Sequence, residues 1–171
     1  MKRHRSKTGI LSHEELKAIP GYPSEEFLQK GPVAIIQCAE EIPCDPCVDA
    51  CSKGAIRIEG NITSLPILLA EKCTGCGQCI PSCPGLAIFV VDMTYSKEEG
   101  LVKLPYEFLP LPQKGALVIV MDREGRDIGT GKIHSVLNSK RFDRTPIVTV
   151  CVPKGITLEV NHFRIPKEGK E

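Results

Sequence analysis

Apolar and polar positions fall into three successive rhythms along the chain. The first stretch is sparse in apolar side chains. Ser12-His-Glu-Glu15 is a capping-box pattern and predicts a short helix. Ser24, followed by Glu25 and Glu26, predicts a second helix that Ser24 caps, with acidic side chains well placed in its first turn. Pro20-Gly21-Tyr22-Pro23 breaks the chain between them. A middle stretch carries short β-prone runs. Val33 to Gln37 reads as a strand, Ile56-Arg-Ile58 and Ile62-Thr63 flank a turn at Gly60-Asn61, and Leu86 to Val91 fits a buried strand. The last stretch is richest in strand patterns. Leu117 to Met121 is compact and apolar, and Asp122-Arg-Glu-Gly125 is a turn after which Arg126 to Ile128 returns antiparallel. Lys132 to Leu137 alternates, Pro146 to Val152 is strongly β-prone, and Thr157 to Val160 and Phe163 to Ile165 add short strands. Leu104 to Pro112 holds three prolines and reads as an extended connector.

These rhythms divide the 171 residues into an arm with short helices at 1–32, a middle module at 33–100 and a β-rich segment at 101–171. The arm has too few apolar residues for a core of its own and is expected to dock on its own domain or on a partner. The last segment suggests a small antiparallel β-barrel-like domain.

The middle module carries the chemistry. Cys73, Cys76, Cys79 and Cys83 read C-x2-C-x2-C-x3-C, followed at once by Pro84, and Cys38, Cys44, Cys47 and Cys51 read C-x5-C-x2-C-x3-C. Such gaps aim several sulfurs at one small object, unlike the spread spacing of a disulfide framework. Zinc sites use separate Cys-x2-Cys pairs rather than three cysteines in succession. The second run is the one that holds cubane iron–sulfur clusters in bacterial ferredoxins, and eight thiolates suffice for two four-iron clusters. In two-cluster proteins the fourth cysteine of each run serves the other cluster. Carried onto this chain, cluster one takes Cys38, Cys44, Cys47 and Cys83, and cluster two takes Cys73, Cys76, Cys79 and Cys51. Gly75 and Gly77 fit a loop whose backbone N–H groups approach sulfur. The first run has three extra residues after Cys38, so a three-iron cluster or a ligand such as Asp45 stays open there. Each half also pairs its cysteines with a small-residue step and a β-prone run, Cys51-Ser-Lys-Gly-Ala-Ile and Cys83-Pro-Gly-Leu-Ala-Ile. The fold class expected is α+β, a ferredoxin-like dicluster module built from a βαβ repeat and followed by the β-barrel-like domain.

Composition changes this picture little. Hydrophobic residues make up 42% and charged residues 25%, as in an ordinary globular protein. No apolar run approaches the length of a membrane helix, and Met-Lys-Arg-His-Arg at the start is not followed by the apolar stretch of a secretory signal. Clustered thiolates fit a reducing compartment, so the cytoplasm is expected. Charge is more informative. The net charge is +1, but residues 33–100 carry four basic and nine acidic side chains, against twelve and eight in residues 101–171. An acidic module of this kind would orient an electron-transfer partner or be a plain solvated surface.

Weaker signals exclude other functions. Gly125 to Lys132 resembles a phosphate loop but has Arg126 where the leading glycine belongs and Ile133 in place of the Ser/Thr. Lys2-Arg3-His4-Arg5 lacks the basic–aromatic surface of a nucleic-acid binder. His13, His134 and His162 are not at metal spacing, and Cys151 reads as a small core residue. No catalytic residue is assigned, and the chain is expected to be non-catalytic on its own.

Gly31-Pro-Val-Ala-Ile-Ile-Gln-Cys38, Ile42-Pro-Cys-Asp-Pro-Cys47, Leu65-Pro66, Lys72-Cys-Thr-Gly-Cys76, Cys83-Pro-Gly-Leu-Ala-Ile-Phe89, Leu104-Pro-Tyr-Glu-Phe-Leu-Pro110 and Asp143-Arg-Thr-Pro146 occur together. With these the chain resembles, over nearly its full length, the small dicluster ferredoxin-type subunits of bacterial FAD-dependent oxidoreductases. Those belong to multi-subunit amino-acid dehydrogenases of the proline dehydrogenase and opine-oxidase kind. The resemblance implies a hetero-oligomer with an FAD-carrying partner that oxidises an amine or related small substrate. Two [4Fe-4S] clusters would then relay single electrons between the flavin and an acceptor. A free-standing dicluster ferredoxin, and a scaffold protein with structural clusters, are the other readings.

Overall fold

The computed structural model describes residues 8–166. The basic stretch Lys2–Arg5 lies outside them. Helix α1 (His13–Lys17) begins where the sequence places it. Ser12 Oγ accepts the Glu15 N–H at 3.2 Å, and Glu15 Oε2 accepts the Ser12 N–H at 3.0 Å, so the two satisfy each other's orphan groups. In α2 (Glu25–Leu28) Ser24 holds the N-cap position, but its side chain makes no capping bond, contrary to expectation. The helix is instead held by its buried Leu28, by Lys17–Glu25 at 3.0 Å and by an i,i+4 pair between Glu26 and Lys30. The arm is woven into the domain. The Leu68 N–H donates to the Pro20 carbonyl at 3.1 Å and the Ile36 N–H to the Gly21 carbonyl at 2.9 Å. Leu16 and Leu28 are fully buried.

The dominant element is one antiparallel sheet of seven strands. Its members are β1 (Val33–Ile36), β4 (Ile88–Asp92), β5 (Glu99–Pro105), β6 (Leu117–Met121), β7 (Asp127–Leu137), β8 (Ile147–Pro153) and β9 (His162–Arg164), in the order β1-β4-β5-β8-β7-β6-β9. The runs Val33–Ile36 and Ile88–Val91 are apolar without alternation because both faces are covered. Strand register aligns Val33, Val91, Val102, Val150 and Ile133 in one row across five strands, and all five are buried. This row carries the core without interruption from the cysteine-rich half into the β-rich half. The boundary expected after residue 100 falls inside β5.

Several local expectations change. β7 is one 11-residue strand with an irregularity between Ile133 and Ser135, so all of the expected Arg126–Ile128 and Lys132–Leu137 strands except Arg126 falls in a single element. Thr157–Val160 is not a strand but the continuation of a 3₁₀ turn at Lys154–Ile156, held by the Val160 N–H on the Ile156 carbonyl at 3.3 Å. The pairing does not close into a barrel, because β1 and β9 each have a single neighbour. A second, two-stranded sheet joins β2 (Ile56–Arg57) to β3 (Ile67–Leu68), not to Ile62-Thr63. That segment is taken up by a turn in which Asn61 accepts from the Thr63 N–H at 3.3 Å and from the Ser64 N–H at 2.8 Å.

Candidate metal centre

The two cysteine runs sit in backbone frames that repeat 32 residues apart. In the first, Val48 donates to Asp45 (2.8 Å), Cys51 to Val48 (3.1 Å) and Gly54 to Cys51 (2.9 Å). In the second, Ile80 donates to Gly77 (3.0 Å), Cys83 to Ile80 (3.3 Å) and Leu86 to Cys83 (3.1 Å). Gly54 and Leu86, at equivalent places, both have left-handed backbones, with φ of 60° and 51°. The halves then exchange bonds. The Gln37 N–H donates to the Ala87 carbonyl at 2.7 Å, and the Leu69 N–H donates to the Ala55 carbonyl at 2.8 Å. Only the first half closes a regular turn of helix, α3 (Pro46–Asp49), with Pro46 at its start; the second stays in turns.

This correspondence changes the reading of Cys38. Gln37 matches Leu69 and Cys44 matches Cys76, so the loops leading to the two Cys-x2-Cys pairs are equally long. Nothing is inserted. The first cysteine has moved instead: Cys38 stands two positions after the end of β1 at the place of Ala70, and Glu41 stands at the place of Cys73.

The fold gathers the eight cysteines into two sets. One cavity is lined by Cys38, Cys44, Cys47 and Cys83 among Ile36, Ile42, Pro66 and Ile88, with an atom-free space of ≈ 390 Å³ including its mouth. The other is lined by Cys51, Cys73, Cys76 and Cys79 among Ala34, Ile56, Leu68 and Val90, with ≈ 350 Å³. Each cavity therefore takes three cysteines from one run and the last cysteine of the other. Cys51 and Cys83 cross because each follows its own run by a turn that ends at the opposite cavity. Among the described residues no three His, Cys, Asp or Glu side chains converge as they would on a single metal ion. The four thiols of each set stand around a space, which suits a polynuclear cluster better than one ion.

Local chemistry favours thiolate–metal bonds. The Ala55 N–H donates to Cys51 Sγ at 3.3 Å and the Ala87 N–H to Cys83 Sγ at 3.4 Å, again at equivalent places, and the Ala34 N–H donates to Cys73 Sγ at 3.4 Å. Such bonds stabilise charge on sulfur. Burial works the other way on the free thiols. It pushes Cys47 up to about 11 and Cys79 up to about 12, with repulsion from Cys83 and Cys44 adding to the first and from Cys73, Cys76 and Cys51 to the second. Cys38 is also raised, mainly by burial, against a lowering backbone bond from Glu40. A bound metal would resolve this conflict by supplying the positive charge that buried thiolates lack.

Gly75 has a firmer reason to be glycine than access of its N–H to sulfur. Its φ is +62°, and a Cβ there would lie 2.5 Å from Pro32 Cβ and 2.6 Å from the Pro32 carbonyl oxygen. The residue before β1 thus presses on the loop between Cys73 and Cys76. Gly77 is also left-handed, with no atom closer than 3.5 Å to such a Cβ. Sequence reasoning missed Lys103. From β5 its ammonium donates to the Gly75 carbonyl at 2.6 Å, across 28 positions of chain, a separation that no local pattern signals.

The remaining candidates stay apart. Cys151 is half-buried on β8 beside Glu99 and belongs to neither set. His162 stacks among Tyr106 and Phe163, where burial lowers its pKa, and His134 packs edge-on against Tyr95.

The two cysteine-ringed cavities decide the comparison with known proteins. Residues 42–87 match the 4Fe-4S dicluster domain. The expected iron–sulfur, ferredoxin-type chemistry is borne out by that match, which spans Cys44 to Cys83 and leaves Cys38 and the whole seven-stranded sheet outside it. The chain is also 37% identical over 54 residues to the polyferredoxin-like subunit of an aliphatic sulfonate oxidoreductase from Pyrococcus furiosus. That similarity covers 32% of this chain and 28% of the relative. No solved structure matches the chain. Among the described residues no helix is long and apolar enough to cross a membrane.

Proposed function

We propose that this chain is an electron-transfer subunit that holds two [4Fe-4S] clusters in a ferredoxin-like dicluster fold. The single observation that carries the reading is the crossing of Cys51 and Cys83 into each other's cavities. Cys38, Cys44, Cys47 and Cys83 hold the first cluster, and Cys51, Cys73, Cys76 and Cys79 hold the second. Clusters of this type, when bound, take up and release one electron at a time. The protein's part is positional and electrostatic. The thiols fix the sites, and Ala34, Ala55 and Ala87 donate to cysteine sulfurs. Apolar walls from β1, β2 and β4 limit water, while Cys76 remains exposed. Because each cavity draws on both halves, cluster loading and folding are coupled.

The partner is read from the resemblance of the whole chain: an FAD-dependent dehydrogenase of an amine or amino acid in a hetero-oligomer, in the reducing cytoplasm. The subunit status of the Pyrococcus furiosus relative supports a place in an oxidoreductase complex. So does the amount of chain outside the matched domain, which includes the whole seven-stranded sheet and no assigned catalytic group. Iron and sulfide analysis should give about eight irons per chain, with EPR signals from two reduced clusters. Purification from the native host should co-isolate a flavoprotein. About four irons would remove the two-cluster reading, and a native form without any partner would remove the subunit reading.

A further inference from the structure

The geometry points to Lys103 as the residue that makes the second cavity the more easily reduced of the two, a role that rests on the two-cluster reading above. Lys103 lies on β5, outside the stretch that matches the dicluster domain. Its ammonium is bonded to the carbonyl of Gly75, between Cys73 and Cys76. Its stem runs past Gly77, with Cδ 3.7 Å from where a Cβ on that glycine would sit. One side chain from the sheet therefore spans the loop that bears three thiols of the second set. Lys103 is half-buried, and no described carboxylate lies within ion-pair distance of it. Its charge is thus neither neutralised by a partner nor fully screened by water.

Backbone donors do not separate the two cavities. Ala34 and Ala55 serve the second set, and Ala87 and Glu40 serve the first. Charge does separate them. Lys53 lines the second cavity, whereas the only charged side chain lining the first, among the described residues, is Glu40. An added electron adds negative charge, which a nearby cation favours, and among the described residues no Lys or Arg lines the first cavity. The ammonium also polarises the Gly75–Cys76 peptide, which strengthens the Cys76 N–H as a donor. Exposure of Cys76 to water acts in the same direction, because solvent favours the more charged state. Electrons delivered at the first cavity then run downhill to the second. On this account the appended sheet does more than dock: it sets the order of the two sites.

The test is an EPR-monitored redox titration of the full chain, loaded anaerobically, with iron counted in every sample. Wild type should show two waves. Lys103→Met, which keeps the stem and removes the charge, should shift the upper wave to lower potential and leave the lower wave in place. At a fixed poise the shift should appear as a change on the order of tenfold in the ratio of reduced to oxidised second site. Lys103→Arg should stay near wild type. Lys53→Met, on an exposed rim, should give a smaller shift of the same wave, so the charge effect remains readable if Lys103→Met loses iron. An upper wave unmoved in a Lys103→Met protein with about eight irons overturns this inference alone. Movement of the lower wave instead overturns it too. A wild-type chain with about four irons and a single wave overturns the two-cluster reading, and the inference with it.

Discussion

Replacing Gly75 by Ala tests how the segment before β1 shapes the second cavity. Two costs follow from the structure. The left-handed backbone, φ +62°, costs an L-residue about 1–2 kcal/mol. The new methyl would also sit 2.5–2.8 Å from three atoms of Pro32, two of them backbone. Ordinary carbon contacts begin near 3.5 Å. Either Pro32, and with it the start of β1, or the Cys73–Cys76 loop must give way by close to an ångström. Overpacking of this kind costs about 1–3 kcal/mol. The sum is about 2–5 kcal/mol, or an apparent melting point lowered by roughly 4–20 °C for a chain of this size. Gly77→Ala is the matched control: it keeps the backbone cost but meets no atom closer than 3.5 Å, so about 1–2 kcal/mol is expected. Thermal melts of the loaded variants, run beside iron analysis, make the comparison. Gly75→Ala should melt lower than Gly77→Ala and lose iron first. Equal melting points would refute the claim that Pro32 braces the loop.

Other outcomes follow from the same structure. Leu86 has the left-handed backbone that Gly54 has in the first half, so Leu86→Gly should be more stable than Leu86→Ala by about 1 kcal/mol, the reverse of the usual order, in denaturant melts. Ser12→Ala removes a complete capping box and should cost about 0.5–2 kcal/mol by the same melts, with iron content unchanged. Burial raises the free thiols of Cys47 and Cys79, to about 11 and about 12, so both are neutral before loading and must release protons to bind iron. Reconstitution at limiting iron should therefore fall as pH is lowered and rise as it is raised, followed by the visible charge-transfer absorbance; loading independent of pH would contradict this.

The site was far more legible than the fold that surrounds it. Ligand spacing is a local property, and a cysteine two or three residues from the next leaves few geometries open. That is why the membership of both cavities, including the crossing of Cys51 and Cys83, could be read from the chain. Cys38 shows the limit of spacing. Counting between cysteines suggested inserted residues, whereas the Gln37–Ala87 and Leu69–Ala55 bonds show equal loops with the cysteine itself displaced. Strands were legible where they stood apart, as at Leu117–Met121 and Ile147–Val152. Strand β5 was not, because Gly100-Leu-Val-Lys-Leu offers only a short, interrupted pattern. Its identity comes from its hairpin neighbour β4 on one side and the distant strand β8 on the other. The same non-locality hid the continuity of the sheet and the reach of Lys103 to Gly75. The turn at Asn61 also overrode a plausible hairpin, because side-chain bonds from Asn61 and Ser64 satisfy that backbone locally.

The central claim is that the two sites are interlocked by exchanged fourth cysteines. Loaded Cys51→Ala, Cys47→Ala and Cys79→Ala variants should be compared by EPR after full reduction. Cys51 belongs by sequence to the run of Cys47, but by geometry to the cavity of Cys79. The account predicts that Cys51→Ala loses or alters the signal that Cys79→Ala loses, and keeps the one that Cys47→Ala loses. A Cys51→Ala spectrum that instead matches the loss in Cys47→Ala would contradict it.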